Sequence, residues 1–260
     1  MTAKELLILG GTGEASALAR AALARFGEAL NVTTAIAGRT ERPSPLPGRI
    51  RIGGFGGAAG LAAYLTETGV DRLIDATHPF AARISAAARL ACDEVRVPRL
   101  LLLRPPWPRH PLDRWIEVDD MAAAAELVGR VGRRAFLTVG AGEIACFAAA
   151  TEVRFLVRLV DPPRRSLPLR FCEVVVGRGP FTLADERRRL ERDEIDVLVC
   201  KASGGAATEA KILAARELGL PVIMVRRPPR EPGDAVETVE AAVDWLAGEQ
   251  WLAMAERVVS

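Results

Sequence analysis

Leu7-Ile8-Leu9-Gly10-Gly11-Thr12-Gly13-Glu14-Ala15-Ser16 takes the chain from an aliphatic run through a glycine turn into an alanine-rich segment. The turn contains G-x-G-x-x-S. Glycines in a strand-to-helix turn permit a tight backbone path and let peptide N–H groups approach a pyrophosphate at the positive end of the helix. Gly10, Gly11, Thr12 and Gly13 are therefore candidates for holding a dinucleotide. Ser16 stands where a third glycine is usual and is small enough for close helix packing. The competing reading is a glycine turn that binds nothing.

Outward from this turn, short aliphatic runs near 5–10, 31–37, 49–52, 71–76 and 98–103 alternate with helical segments over 14–26, 58–68 and 80–93. That alternation predicts a parallel sheet covered by helices. Prolines at 105, 106, 108 and 111 sustain neither a helix nor a central strand, so 104–112 reads as a linker. Beyond it, strands are expected near 114–118, 134–139, 153–160, 172–177, 195–200 and 221–225, and helices near 120–130, 142–150, 182–193 and 205–218. Val236, Val239, Val243 and Leu246 recur at helical spacing and predict an amphipathic C-terminal helix. The alternating charges of Asp185 to Glu194 read as a solvated helix face, and Trp245 and Trp251 as packing anchors.

The second strand ends Ala37-Gly38-Arg39-Thr40, without the Asp or Glu that holds the ribose hydroxyls of NAD. A guanidinium and a hydroxyl suit a 2′-phosphate, so Arg39 and Thr40 favour NADP; an exposed arginine after a strand is the alternative. Tyr64 is followed at +4 by Thr68, so a Tyr-x-x-x-Lys pair is absent, and no Walker motif occurs. Asp75-Ala76-Thr77-His78-Pro79-Phe80-Ala81 closes a predicted strand, where α/β proteins bind ligands. His78 either donates to a substrate there or caps a tight turn. Three later strand ends carry similar punctuation: Gly140-Ala141-Gly142, Gly177-Arg178-Gly179-Pro180-Phe181, and Lys201-Ala202-Ser203-Gly204-Gly205-Ala206-Ala207-Thr208. The last combines a cation, hydroxyls and exposed N–H groups, a cradle for a carboxylate or phosphate, unless Lys201 is a surface charge.

The chain has 260 residues, half of them hydrophobic, and a mean hydropathy of +0.15, which excludes a disordered or collagen-like chain. Its 35 basic and 33 acidic residues balance to +2, so no global field draws it to nucleic acid or to a membrane surface. Lys4, Lys201 and Lys211 are the only lysines. The four cysteines form no C-x-x-C pair and, with two histidines, give no metal signature. Neither a secretory signal nor a bilayer-length apolar run is present, and a reduced, cytoplasmic protein is expected.

In order along nearly the whole chain, Gly10-Gly11-Thr12 with Glu14, Ala37-Gly38-Arg39-Thr40, Gly53-Gly54-Phe55-Gly56-Gly57, Asp75-Ala76-Thr77-His78-Pro79-Phe80-Ala81, Gly179-Pro180-Phe181, and Lys201 with Ser203-Gly204-Gly205 resemble the precorrin-6A reductase family of cobalamin biosynthesis. The Asp-Ala-Thr-His-Pro-Phe segment is the most specific. The resemblance implies NADPH-dependent, metal-free reduction of one double bond in a contracted tetrapyrrole, precorrin-6A to precorrin-6B. It adds Glu14 and Thr77 to the cofactor residues, makes His78 and Lys201 the catalytic candidates, and places Phe80, Phe181, Lys201, Ser203, Gly204 and Gly205 at the substrate. The substrate's acetates and propionates call for donors, for which Arg104, Lys201, Ser203 and Thr208 are candidates. This sequence departs from the family pattern at Ala202, where a polar neighbour to the lysine is usual.

The expected architecture is α/β: two Rossmann-like domains with mostly parallel sheets, an NADPH-binding domain over 1–107 and a tetrapyrrole-binding domain over 108–260, with a ligand cleft between them. The expected partner is a small tetrapyrrole, with transient contact to neighbouring pathway enzymes. An NADPH-sensing binding protein, or a reductase of another conjugated acid, are the alternative functions.

Overall fold

A computed structural model of the chain describes residues 3–38 and 46–248. The aliphatic run before the glycine turn is β1 (Lys4–Leu9), and the turn opens α1 (Gly13–Phe26). Thr12 caps that helix: its Oγ1 accepts the Ala15 N–H at 3.1 Å and donates to the Ala76 carbonyl at 2.7 Å. β2 (Leu30–Ile36), β3 (Arg49–Ile52), α2 (Ala58–Glu67), β4 (Arg72–Asp75), α3 (Ala82–Val95) and β5 (Arg99–Leu102) follow. Ala15, Leu18, Ala19 and Ala22 line the buried stripe of α1, where small side chains let the helix lie close to the sheet.

After the proline-rich stretch come β6 (Arg114–Val118), α4 (Met121–Val131), β7 (Arg134–Leu137), β8 (Arg154–Leu159), β9 (Phe171–Val176), α5 (Leu183–Arg192), β10 (Val197–Lys201), α6 (Ala210–Glu217) and β11 (Pro221–Val225). The helix expected over 142–150 is instead a 3₁₀ segment, Ala141–Ala149. The one expected over 205–218 is divided into a 3₁₀ turn, Ala206–Thr208, and α6. The chain ends its described course with β12 (Ala235–Val236) and α7 (Val239–Ala247).

These elements form two all-parallel sheets, ordered β12-β5-β4-β1-β2-β3 and β6-β11-β10-β7-β8-β9. The α/β expectation of two Rossmann-like sheets is met. In each, strand order reverses at one place, between β1 and β4 in the first and between β7 and β10 in the second. Ligands of open α/β sheets bind outside the carboxyl ends of the strands at such reversals.

The chain divides into two units, the first of Met1–Pro105 with the segment beginning at Pro228, the second of Pro106–Arg227. This differs from the expected second domain over 108–260. The C-terminal segment returns to the first sheet because β5 has an open edge: Ala235 and Val236 pair there with Leu101 and Leu102. Ala242, Val243 and Leu246 of α7 then join the core formed with Leu18, Ala19 and Ala22. Trp245 is anchored as expected, under the Arg72 guanidinium at 4.6 Å, while Arg72 Nη1 donates to its carbonyl at 2.7 Å. Trp251 lies outside the described residues. Val236, expected in the helix, is in the strand that precedes it.

The face formed by Asp185 to Glu194 is not wholly solvated. Glu186 is 1% exposed and takes a bidentate pair from Arg158, at 2.6 and 2.9 Å. It lies one helical turn before the buried Leu190, on the side of α5 that faces its sheet.

Candidate functional site

In the first unit, the turn after β1 and the loop after β4 meet at the strand reversal, joined by the Thr12 to Ala76 bond. Gly10 must be glycine for packing, since a Cβ there would stand 2.8 Å from Thr34 Cγ2. Gly11 has φ of +101°, and among the described residues a Cβ at Gly11 or Gly13 would meet nothing within 4 Å beyond its chain neighbours and its own helix. The space above the start of α1 is thus open, with the positive end of a 14-residue helix facing it. Glu14, in the first turn, is paired with Arg104 at 3.0 Å. Arg104, expected among the substrate donors, is thus held within the first unit by the first turn of α1.

The loop after β4 is ordered by its own side chains. Asp75, 2% exposed, accepts through Oδ1 from the Thr77 N–H at 3.1 Å and the Thr77 hydroxyl at 2.7 Å, while its Oδ2 is buried without a hydrogen-bond partner. Thr77 Oγ1 also lies 3.4 Å from Ser85 Oγ. The Phe80 N–H donates to His78 Nδ1 at 3.2 Å, so a neutral His78 carries its proton on Nε2. The two rings lie 5.7 Å apart. Gly38, at φ +67°, ends the described part of the β2 loop, and Arg39 and Thr40 lie outside the described residues.

In the second unit, the reversal between β7 and β10 carries the Gly140 turn and the Lys201 turn. Lys201 Nζ stands 2.6 Å from Glu143 Oε2, with the two side chains 16% and 33% exposed. The same carboxylate oxygen accepts the Gly140 N–H at 3.1 Å. Glu143 was not among the candidate residues, although it directly follows the expected Gly140-Ala141-Gly142 turn. Past Lys201, Gly204 and Gly205 have φ of +64° and +76°, a left-handed path that side chains disfavour. Ser203, Gly204, Gly205 and Thr208 lie together on this turn. Phe181 belongs beside it: Gly179, two residues earlier, packs so closely on the turn that a Cβ would be 3.2 Å from the Ala207 carbonyl. The Arg158 guanidinium stacks on the Phe181 ring at 3.9 Å.

The candidates thus fall into two groups, one at each strand reversal: Gly10 to Glu14, Thr77, His78, Phe80 and Arg104 in the first unit, and Phe181, Lys201, Ser203 to Gly205 and Thr208 in the second. Among the described residues no group of three or more His, Cys, Asp or Glu could hold a metal ion, and no helix is long and apolar enough to cross a membrane. Burial pushes the Cys92 and Cys200 thiols up, to about 12 and about 11, which makes them inert packing groups.

A family model described as precorrin-6x reductase CbiJ/CobK matches residues 5–247. The chain is 46% identical to the precorrin-6A reductase of Rhodobacter capsulatus, over 93% of this chain and 95% of that one. It is 41% identical to the precorrin-6A reductase of Mycobacterium tuberculosis over 94% and 97%, and 30% identical to the cobalt-precorrin-6A reductase of Salmonella typhimurium over 98% and 100%. A solved structure titled CobK precorrin-6A reductase, 45% identical, matches with a TM-score of 0.89 over 94% of this chain and 96% of that one.

Proposed function

The chain belongs to the precorrin-6x reductase family, and from that premise we propose that it reduces precorrin-6A in cobalamin biosynthesis by hydride transfer with NADPH. The observation that carries this reading is the coincidence of the two strand reversals with the two motif groups. The first unit is assigned to the cofactor and the second to the macrocycle.

The first unit fits a dinucleotide. The open space over Gly11 and Gly13, at the start of α1, accommodates a pyrophosphate that a side chain would displace. Thr12 spends its hydroxyl on capping and on Ala76, so the turn offers backbone N–H groups to the phosphates. Arg104, held by Glu14, adds a cation at the same place. Arg39 and Thr40 are assigned to the 2′-phosphate from their position after Gly38 alone. NADPH, when bound, supplies the hydride.

The protein's own work is positioning. A conjugated imine-rich ring accepts hydride readily, so what the site must supply is alignment and charge complementarity rather than a nucleophile. His78 Nε2–H is a donor at the end of β4, assigned to the reacting edge of the macrocycle. Lys201, steadied by Glu143, is assigned to a substrate carboxylate, with Ser203 and Thr208 as further donors. Phe80 and Phe181 supply flat apolar surface for the ring.

Mixing purified protein with NADPH and precorrin-6A and following the absorbance of both tests the proposal. Stoichiometric loss of NADPH with conversion of the macrocycle is expected. NADPH binding without turnover, or equal use of NADH, would count against it.

A further inference from the structure

Arg227 and Trp107 both reach the turn that follows β10. Arg227 Nε donates to the Ala202 carbonyl at 2.7 Å and its Nη2 to the Ser203 carbonyl at 2.9 Å. Trp107 Nε1 donates to the Gly205 carbonyl at 2.9 Å. Three of the four carbonyls from Ala202 to Gly205 are thus held by side chains from outside the turn. Two adjacent glycines cannot fix their own path, because glycine accepts left-handed and right-handed conformations almost equally. These three bonds select the path.

The anchors are themselves firm. Trp107 is 7% exposed, packs in the core cluster with Leu198, Cys200 and Ile212, and has the Lys211 ammonium 5.4 Å from its ring centroid. The planar guanidinium of Arg227 matches two successive carbonyls with two of its N–H groups, a geometry that lysine cannot reproduce. In a trans peptide the carbonyl and the N–H point in opposite directions. Holding the Gly205 carbonyl on the indole therefore turns the N–H of Ala206 away from Trp107, and Ala206 is exposed.

We infer that Trp107 and Arg227 are positioning residues for tetrapyrrole binding, setting the one conformation in which this turn presents Lys201, Ser203 and its backbone N–H groups to a substrate carboxylate. The inference rests on the assignment of the turn to the macrocycle. It also answers the departure at Ala202: what the turn takes from that residue is its carbonyl, held by Arg227, for which any side chain serves.

Trp107→Phe retains a ring beside Lys211 and deletes only the N–H donor, while Arg227→Lys retains the charge and loses the fork. In each, KM for precorrin-6A should rise roughly tenfold, with kcat less affected and the NADPH dissociation constant unchanged. Guanidinium ion added to Arg227→Ala should restore part of the lost KM, and a rise in KM that leaves kcat and NADPH affinity nearly unchanged is the signature that a general loss of structure would not show. If Trp107→Phe and Arg227→Lys bind precorrin-6A as tightly as the wild type while Lys201→Ala and Ser203→Ala do not, the positioning role is overturned and the turn remains the macrocycle site. If all four variants keep the wild-type KM, the assignment of the turn itself fails, and the inference with it.

Discussion

Lys201 Nζ stands 2.6 Å from Glu143 Oε2, a contact that bridges the carboxyl ends of β10 and β7 across the strand reversal of the second sheet. Glu143 is held in turn by the Gly140 N–H, so the ammonium is aimed by a fixed carboxylate and not by its own flexible stem. Turnover of precorrin-6A should fall in Lys201→Ala and also in Lys201→Arg, because the wider guanidinium displaces a flat substrate, and ~1 Å of misplacement is worth about 100-fold in rate. Glu143→Gln should lower it by about tenfold, with NADPH affinity unchanged in all three. A Lys201→Ala protein that loses NADPH binding and keeps the macrocycle would exchange the two ligand assignments.

Gly13→Ala separates cofactor approach from folding. A Cβ at Gly13 meets nothing within 4 Å, and alanine is the better helix former, so thermal stability should be unchanged or slightly raised. The added methyl stands in the space assigned to the pyrophosphate, and NADPH should bind at least roughly tenfold more weakly, about 1.4 kcal/mol. Calorimetric titration alongside a melting curve checks both halves, and undiminished NADPH affinity would move the cofactor elsewhere.

The loop after β4 predicts a different signature. His78 is ordered by the Phe80 N–H on its Nδ1, and its Nε2–H is the group assigned above to the substrate. His78→Ala and His78→Asn should slow single-turnover hydride transfer by about 10- to 100-fold and alter NADPH affinity far less. Hydride transfer at the wild-type rate would reduce His78 to a turn residue.

What was legible in the sequence was local. The β1 turn and the Lys201 turn each lie within ten residues, and glycine spacing reports them directly. Long-range partners leave no such pattern: Glu143 looks like the start of a helix, and nothing in the sequence near Lys201 points to it. Arg104 shows only its charge in the sequence, and its carboxylate partner, Glu14, lies far away along the chain in the first turn of α1. Trp107 and Arg227 act through backbone carbonyls, to which any sequence is blind; the lone indole in a proline-rich linker was the available hint. β12 is two residues long, too short for alternation to show. Glu186 could have been found, since it shares the helical face of Leu183 and Leu190, but the alternation of charge concealed it.

Thiol chemistry should sort the four cysteines by burial. Cys92 and Cys200 are buried, with thiols pushed up to about 12 and about 11, while Cys146 is exposed and Cys172 half-buried with its thiol also raised by burial. In native protein near pH 8, a disulfide reagent should label Cys146 first, Cys172 more slowly, and Cys92 and Cys200 only on unfolding. Mass mapping of early adducts checks this; early labelling of Cys200 would mean that the core beneath the Lys201 turn opens.

Asp113 ties the entry of the second unit to α6. Its carboxylate accepts from Arg216 Nε at 2.7 Å and Nη2 at 3.2 Å, and from the His110 N–H at 2.7 Å, which fastens the proline-rich stretch carrying Trp107 to the last turn of α6. Burial pulls this carboxyl upward, but the bonds from Arg216 and His110 together outweigh it and hold it below its ordinary value. A carboxylate depressed in the folded state stabilises above the unfolded value, about 3.9, and its contribution is lost as pH falls through the folded value. Asp113→Asn should therefore destabilise the second unit by about 1–3 kcal/mol near neutral pH. The gap between variant and wild type should narrow below about pH 4, as the wild-type carboxylate takes up its proton. Urea unfolding of both proteins across that range measures the gap, and a difference that stays constant down to the acid limit would show that the Arg216 pair contributes nothing through its charge.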